Sequence, residues 1–136
     1  MLPPRKRPRM NGFLLVALGG AIGASLRHGV GLVAVRHLPL GWPWGTSFVN
    51  IAGSLAMGLL AGWLALKAEG ASQEARLFLA TGVLGGFTTF SAFSLEVATM
   101  LRSGETLKAG LYAGVSVLLG VSALFIGLWM ARRIFA

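Results

Sequence analysis

A short polar stretch inside an otherwise apolar segment is the strongest chemical signal in this sequence. The stretch is Gly85-Gly86-Phe87-Thr88-Thr89, and paired glycines followed by two β-branched threonines make a poor helix centre. A helix break would free backbone carbonyl and N–H groups, which membrane depth tolerates only where they are buried in protein or line a cavity. Freed carbonyls suit Na⁺, and the N-termini of half-helices favour anions. The stretch therefore predicts a small bound ion, with a simple glycine kink as the alternative.

An aromatic pair follows this stretch directly. Phe90 and Phe93 are three residues apart, on one face of a helix, and are interleaved with Ser91 and Ser94. An aromatic ring has a positive edge, so ring edges turned toward a pore could attract a small, hard anion. Ordinary packing within a helix bundle is the alternative for this pair.

Polar side chains within apolar segments are costly in a membrane, so each is a functional hypothesis. Arg27 could attract anions to the mouth of a path, or its head could snorkel to a lipid headgroup. Asn50 could donate to an anion or bond across helices. Glu96 has no evident partner in its own segment, and Arg27 across the bundle is the candidate.

A sparse polar edge marks the last apolar segment. Tyr112 and Ser116 are four residues apart and share a helical face, from which their hydroxyls could serve a permeating anion or bond to neighbouring helices. The sequence has no phosphate-binding loop, no His/Glu metal constellation and no Ser-His-Asp set. These absences predict that the chain is not an enzyme.

The composition says which environment must position these residues. Of 136 residues 55% are hydrophobic and 12% are charged, and there is no Asp, whereas about 25% of residues are charged in soluble proteins. The net charge of +8 is dispersed rather than gathered on one face, which argues against a nucleic-acid partner. Cysteine is absent, so disulfides and thiolate metal sites are excluded.

Four segments are long enough to cross a bilayer, which takes about 20 apolar residues. They run over 12–35, 46–66, 75–101 and 108–130, and they predict an all-α integral membrane protein whose third helix is broken near Gly85 to Thr89. The boundaries give a basic tail over 1–11 and a four-helix transmembrane domain over 12–133. Small residues four apart predict close helix packing; they are Gly19 and Gly23, then Ser54, Gly58 and Gly62, then Gly110 and Gly114. Four helices enclose little space, so a two-fold homodimer is expected.

Basic residues predict the orientation in the bilayer. Eight lie on the side of both termini (Arg5, Lys6, Arg7, Arg9, Lys67, Arg76, Arg132 and Arg133), against Arg36, Arg102 and Lys108 on the other. The whole chain therefore predicts termini inside. Translation from Met10 would leave four against three, a bias so small that both orientations are expected.

Three stretches together resemble the Fluc (CrcB-type) fluoride channels. They are Gly19-Gly20-Ala21-Ile22-Gly23-Ala24-Ser25-Leu26-Arg27, then Gly45-Thr46-Ser47-Phe48-Val49-Asn50-Ile51-Ala52-Gly53-Ser54, and Gly82-Val83-Leu84-Gly85-Gly86-Phe87-Thr88-Thr89-Phe90-Ser91-Ala92-Phe93. The resemblance covers about residues 11–133, and the third stretch is the most specific.

The resemblance implies an antiparallel, dual-topology homodimer with two pores in the cell membrane of a prokaryote, exporting fluoride passively. It implies a structural Na⁺ between the subunits, held by the carbonyls of Gly85 and Thr88. It assigns Phe90, Phe93 and Asn50 to the pore and Arg27 to its vestibule, with Ser91, Tyr112 and Ser116 matching a polar track less closely. His28 departs from the pattern, as does the basic segment before Met10.

Two other classes compete with a channel. A small proton-coupled drug exporter needs an acidic residue in its first span, where this chain has Arg27. A non-transporting membrane scaffold would leave Asn50 and the stretch from Thr88 to Phe90 unexplained.

Overall fold

A computed structural model describes residues 10–67 and 73–136. Most of the predicted basic tail, including the cluster from Arg5 to Arg9, lies outside the described residues. The first helix already begins at Met10, two residues before the predicted start of the transmembrane domain. The described residues are helical apart from short connectors, and none of them forms a strand.

Four helical spans are long and apolar enough to cross a membrane, as predicted. The first is Met10–His37, the second Trp44–Leu66, and the fourth Thr106–Phe135. The third runs over Gln73–Arg102 and is composite. Each span is a few residues longer than its apolar window, and most of the differences at the ends are one or two residues, as is usual for helix boundaries.

The third span has two segments separated by two extended residues. Its N-terminal segment, residues 73–87, combines Gln73–Ala75, a π-helical stretch Arg76–Leu84 and a last turn Gly85–Phe87. Thr88 and Thr89 have extended backbones, with φ/ψ of −84°/158° and −152°/117°. The C-terminal segment is Phe90–Arg102. The two glycines are thus helical, and the two threonines depart from the helix.

Glycines set how closely the spans approach. A Cβ added to Gly82 would lie 2.9 Å from the Cα of Gly19, so the first span and the N-terminal segment touch backbone to backbone. In the same way, Gly58 faces the backbone of Leu124 between the second and fourth spans. The predicted close packing is confirmed at these positions.

The pair on the fourth span meets no other span among the described residues of one copy of the chain, so close packing there stays a prediction. A Cβ added to Gly110 or Gly114 would meet nothing within 4 Å. Periodicity places both glycines on one helical face, and only the arrangement of the other spans decides that this face is uncovered.

A small core lies where the third and fourth spans meet the first connector. Met100, Ala109 and Tyr112 are buried together, with Trp42 and Phe93 packed against them. The indole of Trp42 donates to Ser47 Oγ at 3.2 Å, which ties the connector to the second span. This core holds the C-terminal segment beside the fourth span.

Candidate functional site

Asn50 holds the extended backbone of the third span. Its Nδ2 donates to the carbonyl of Thr89 at 3.0 Å, and the Thr89 N–H donates to Asn50 Oδ1 at 2.8 Å. The amide of Asn50 therefore satisfies both backbone groups of Thr89, as a residue of an adjacent β-strand would do. Of the two roles predicted for Asn50, bonding between helices is the one that these contacts serve directly.

Two backbone N–H groups that a continuous helix would use are diverted to side chains, one of Thr89 and one of Asn50. Ala92 N–H, which a continuous helix would direct to the carbonyl of Thr88, donates to Thr89 Oγ1 at 3.2 Å as an N-cap. The Thr89 N–H, which would have bonded to Gly85 O, goes to Asn50. The carbonyls of Gly85 and Thr88 are thus among those that lose the donors an unbroken α-helix would supply.

Arg27 reaches the same place from the first span. Its Nε donates to the carbonyl of Gly86 at 3.0 Å, and the side chain is half-buried. The guanidinium thus bonds inward to the last turn before the extended residues, a contact that neither sequence hypothesis included. An arginine has five N–H donors, so this bond leaves the others for a further ligand.

Four of the predicted pore residues line one cavity of about 370 Å³: Asn50, Phe90, Phe93 and Ser116. Thr88 and Thr89 also line it, together with Ser54 and apolar residues of the second and fourth spans. The rings of Phe90 and Phe93 lie 5.6 Å apart between centroids, and Phe90 is 79% exposed in the single subunit. Amide, hydroxyl and aromatic groups therefore surround a space that one subunit leaves open at the side.

Tyr112 lies apart from this cavity, although it shares a helical face with Ser116. Its side chain is fully buried, and its hydroxyl donates to Glu96 Oε2 at 2.6 Å. Thr46 donates to the other carboxyl oxygen at 2.6 Å. Glu96 is thus held by two hydroxyls, and no ion pair joins it to Arg27 in the part of the chain that the structure describes.

The cluster of Thr46, Glu96 and Tyr112 was missed at the level of sequence. A signal for it exists: Thr46 and Asn50 are four residues apart, as are Tyr112 and Ser116. Both pairs therefore stack one turn apart on their helices, which makes two polar layers. The hydrogen bonds that join residues of different spans within each layer can be identified only from the tertiary structure.

The remaining candidate, Ser91, lies on the surface of the subunit. Its Oγ is 3.3 Å from Thr89 Oγ1, and it is not among the residues lining the cavity of Asn50 and Phe90.

A second cavity, of about 310 Å³, lies on the other side of Thr89. It is bounded by the first connector and includes Arg27, Thr46 and Glu96. Thr89, the residue that Asn50 holds, lines both cavities, so the two cavities adjoin there.

Comparison with known proteins gives a consistent result over nearly the whole chain. The family model described as "CrcB-like protein, Camphor Resistance (CrcB)" matches residues 14–128. A protein of Caulobacter vibrioides (strain NA1000 / CB15N) named "Fluoride-specific ion channel FluC" is 50% identical over 127 residues, which is 93% of this chain and 100% of the relative.

Relatives from other bacteria carry the same name. The Mesorhizobium japonicum protein is 52% identical over 125 residues, covering 92% of this chain and 99% of its own length. The Chelativorans sp. (strain BNC1) protein is 54% identical over 121 residues, covering 89% and 96%. With a family model that spans most of its residues and relatives that match it almost end to end, this chain belongs to the CrcB-like family.

Proposed function

We propose that this protein is a fluoride-selective passive anion channel that lets fluoride leave the cytoplasm. The observation that carries the proposal is the cavity lined by Asn50, Phe90, Phe93 and Ser116 beside non-helical backbone within a membrane span. The relatives matched nearly end to end are named fluoride-specific ion channels, which supports the same function and a non-enzymatic role.

Passive conduction is sufficient for this task. HF crosses membranes as a neutral acid and ionises inside, so fluoride accumulates unless the anion can leave. An interior-negative potential drives a univalent anion outward with about 2.3 kcal/mol per 100 mV. The function therefore requires a selective path and no energy-coupling chemistry.

The cavity offers donors that could replace part of the hydration of fluoride. An amide NH₂ has two hydrogens, and Asn50 uses one on Thr89 O, which leaves the second for an anion. The Ser116 hydroxyl and the positive ring edges of Phe90 and Phe93 supply the rest. A narrow path with such weak, closely spaced donors favours the small anion over chloride.

The interruption of the third span, meaning the extended residues Thr88 and Thr89, fits the Na⁺ that the family resemblance implies. Na⁺ is a hard cation that prefers oxygen ligands, and the carbonyls of Gly85 and Thr88 have lost their helical donors to Asn50 and the Thr89 side chain. Among the described residues, no three or more His, Cys, Asp or Glu side chains lie close enough together to hold a metal ion. Backbone carbonyls are therefore the natural ligands. The bound ion would supply a fixed positive charge that stabilises the interruption.

Its carbonyl ligands would come from two antiparallel copies of the chain. Gly85 is exposed on the single subunit, as is Phe90, and nothing covers Gly110 and Gly114. A second copy related by a two-fold axis would cover these surfaces and close each open cavity into a pore, giving two pores per dimer.

The competing transporter class lacks its essential residue. The first span contains no Asp or Glu, so it has no carboxylate with which to exchange protons for a cationic drug. Its ionisable side chains include Arg27, whose charge attracts anions.

The decisive measurement is anion release from liposomes that contain the purified protein. With a K⁺ gradient and valinomycin, an ion-selective electrode should record rapid fluoride release and little chloride release. Phe90→Ile should slow fluoride release at least about tenfold, because an aliphatic side chain has no positive edge to offer the anion. The matched control is Phe13→Ile, another exposed phenylalanine on the outside of the first span, which should leave release unchanged.

Equal release of fluoride and chloride by the unaltered protein, or no release of either, would contradict the proposed function. Unchanged release from Phe90→Ile would instead remove that side chain from the path and leave the function standing.

A further inference from the structure

The second span holds the two extended threonines at two positions, three residues apart. Asn50 clamps Thr89 through its amide, as described above. Gly53 faces Thr88: a Cβ added to Gly53 would collide with Thr88 Cγ2, and it would also lie 3.4 Å from Phe87 Cδ1. Gly53 is buried, so the methyl of Thr88 lies directly against the backbone of the second span.

Thr88 cannot easily turn this methyl elsewhere. Its Oγ1 donates to Leu84 O at 2.9 Å, and its backbone N–H donates to the same carbonyl at 3.0 Å. Rotation of the side chain away from Gly53 would break the first of these bonds. A group larger than hydrogen at residue 53 must therefore displace Thr88 as a whole, including its carbonyl.

We infer that Gly53 is a positioning residue for the cation site, because its missing side chain lets Thr88 place its carbonyl where the ion is held. This rests on the Na⁺ component of the proposed function. Gly53 does not touch the ion; it acts through the methyl of Thr88. The contact also sets where the C-terminal segment begins, since Phe90 follows two residues later.

Gly58 provides a matched control on the same span. It is also buried, and a Cβ there would collide with the carbonyl of Leu124 in the fourth span. Gly53→Ala and Gly58→Ala thus add the same methyl to the same helix. Gly53→Ala places its methyl against Thr88 in the third span. Gly58→Ala places its methyl against the backbone of the fourth span.

The first experiment measures thermal unfolding and fluoride release of each variant over a series of Na⁺ concentrations, with K⁺ holding ionic strength constant. Gly53→Ala should raise the half-saturating Na⁺ concentration roughly tenfold or more, a factor in keeping with the usual strain of an overpacked core. Gly58→Ala should lower the unfolding temperature at every Na⁺ concentration and leave the half-saturating concentration unchanged.

Rescue distinguishes a specific contact from general damage. Thr88→Ser removes the methyl that the new Cβ would meet and keeps the hydroxyl, so Gly53→Ala with Thr88→Ser should regain the original Na⁺ response. Thr88→Val keeps a methyl in place and should not rescue Gly53→Ala. If Gly53→Ala alone folds poorly, the yield of folded protein replaces the Na⁺ response as the measured quantity. Adding Thr88→Ser should then restore the yield, and adding Thr88→Val should not.

A second readout does not depend on conduction. The chain has no cysteine, so Ser94→Cys, at an exposed position one turn after Phe90, can carry a single trifluoromethyl label. Its ¹⁹F resonance should shift in Gly53→Ala and return when Thr88→Ser is added.

The outcomes separate the inference from the function on which it rests. The role of Gly53 would be overturned in either of two cases, provided that the unaltered protein responds to Na⁺. In the first, Gly53→Ala has the same half-saturating Na⁺ concentration as the unaltered protein. In the second, adding Thr88→Ser does not restore the original Na⁺ response. An unaltered protein indifferent to Na⁺ would overturn the proposed cation itself, and the role of Gly53 with it.

Discussion

At the scale of single residues, the amide of Asn50 is central to the site. It pairs with both backbone groups of Thr89, 39 residues further along the chain, and the carbonyl of Asn50 itself accepts from Ser54 Oγ at 2.7 Å. An amide is suited to this position because it presents a donor and an acceptor side by side, as a backbone residue does. The residue predicted to serve a pore therefore shapes the extended backbone that borders the cavity.

Asn50→Asp tests this pairing with an almost isosteric change. The carboxylate keeps an oxygen for the Thr89 N–H but places a second oxygen against the Thr89 carbonyl, where no hydrogen remains to join them. We expect fluoride release to fall roughly tenfold or more, since leaving such a group unpaired costs about 1–3 kcal/mol. Release is measured from liposomes. The mass of the protein particle in detergent is measured in parallel, to show whether the proposed dimer survives the substitution.

The control adds the same charge elsewhere. Gln73→Glu converts an amide to a carboxylate at the exposed start of the third span, and it should leave the release rate within about twofold, as surface substitutions usually do. Release from Asn50→Asp at the unaltered rate would contradict the role of the amide.

At the scale of elements, the three spans around the cavity are joined by a carboxyl group. Glu96 on the third span accepts from Thr46 on the second and from Tyr112 on the fourth, both at 2.6 Å. The ring of Tyr112 packs against Trp42 at 5.3 Å and Phe93 at 5.2 Å between centroids. The C-terminal segment is thereby attached to both of its neighbours one turn away from Asn50 and Phe93.

Tyr112→Phe tests the link between the third and fourth spans. It removes one hydroxyl and keeps the packed ring, so the free energy of unfolding should fall by about 1–3 kcal/mol, the range for a hydrogen bond whose loss leaves a half-buried carboxyl oxygen without its donor. The measurement is thermal unfolding in detergent, followed by helical circular dichroism.

Thr99→Val is the comparison for this variant. It also removes one hydroxyl, but that hydroxyl donates to Leu95 O within its own helix, on an exposed face. Its effect on unfolding should be much smaller. Equal losses in the two variants would mean that the contact of Tyr112 with Glu96 does not join the spans energetically.

At the scale of the whole molecule, one copy of the chain leaves large apolar surfaces and a cavity uncovered. Its four spans leave Phe90 79% exposed and leave the cavity of Asn50 and Phe90 open at the side. Large aliphatic and aromatic side chains also cover the outside of the first and fourth spans, among them Phe13, Leu118 and Phe125. Such surfaces suit lipid and a second copy, and whether two copies can pair antiparallel depends on how each one inserts.

Orientation is testable through the start of translation. A chain beginning at Met1 should insert with its termini inside, because eight basic residues stand against three. A chain beginning at Met10 loses four of them and should insert in both orientations. The accessibility of a C-terminal tag from each side of the cell membrane measures this. A tag on one side only, in the chain that begins at Met10, would contradict dual insertion and favour a partner of fixed, opposite orientation.

Much of the fold can be predicted from particular stretches of sequence. The second span was expected over 46–66 and is Trp44–Leu66, because a run of apolar residues bounded by prolines and charges has few alternatives. The same reasoning could not place the π-helical stretch Arg76–Leu84, since a π-helix differs from an α-helix in bonding residues five apart instead of four, and nine residues are too few to show the change in periodicity. It also could not tell that Gly110 and Gly114 face outward while Gly58 faces inward, since all three lie at small-residue spacings.

The sequence by itself determined the membrane environment, the four spans and the place in the third span where the backbone leaves the helix. These follow from hydrophobic length, from the cost of polar groups in a bilayer and from the poor helix propensity of Gly85 to Thr89, all of which are local properties. Only the tertiary structure decided the partners: Asn50 with Thr89, Arg27 with Gly86, Glu96 with Thr46 and Tyr112, and Gly53 with Thr88. The physical reason is that a hydrogen bond or a contact between spans depends on distance and direction across the bundle, and residues 16 to 59 positions apart carry no local record of either.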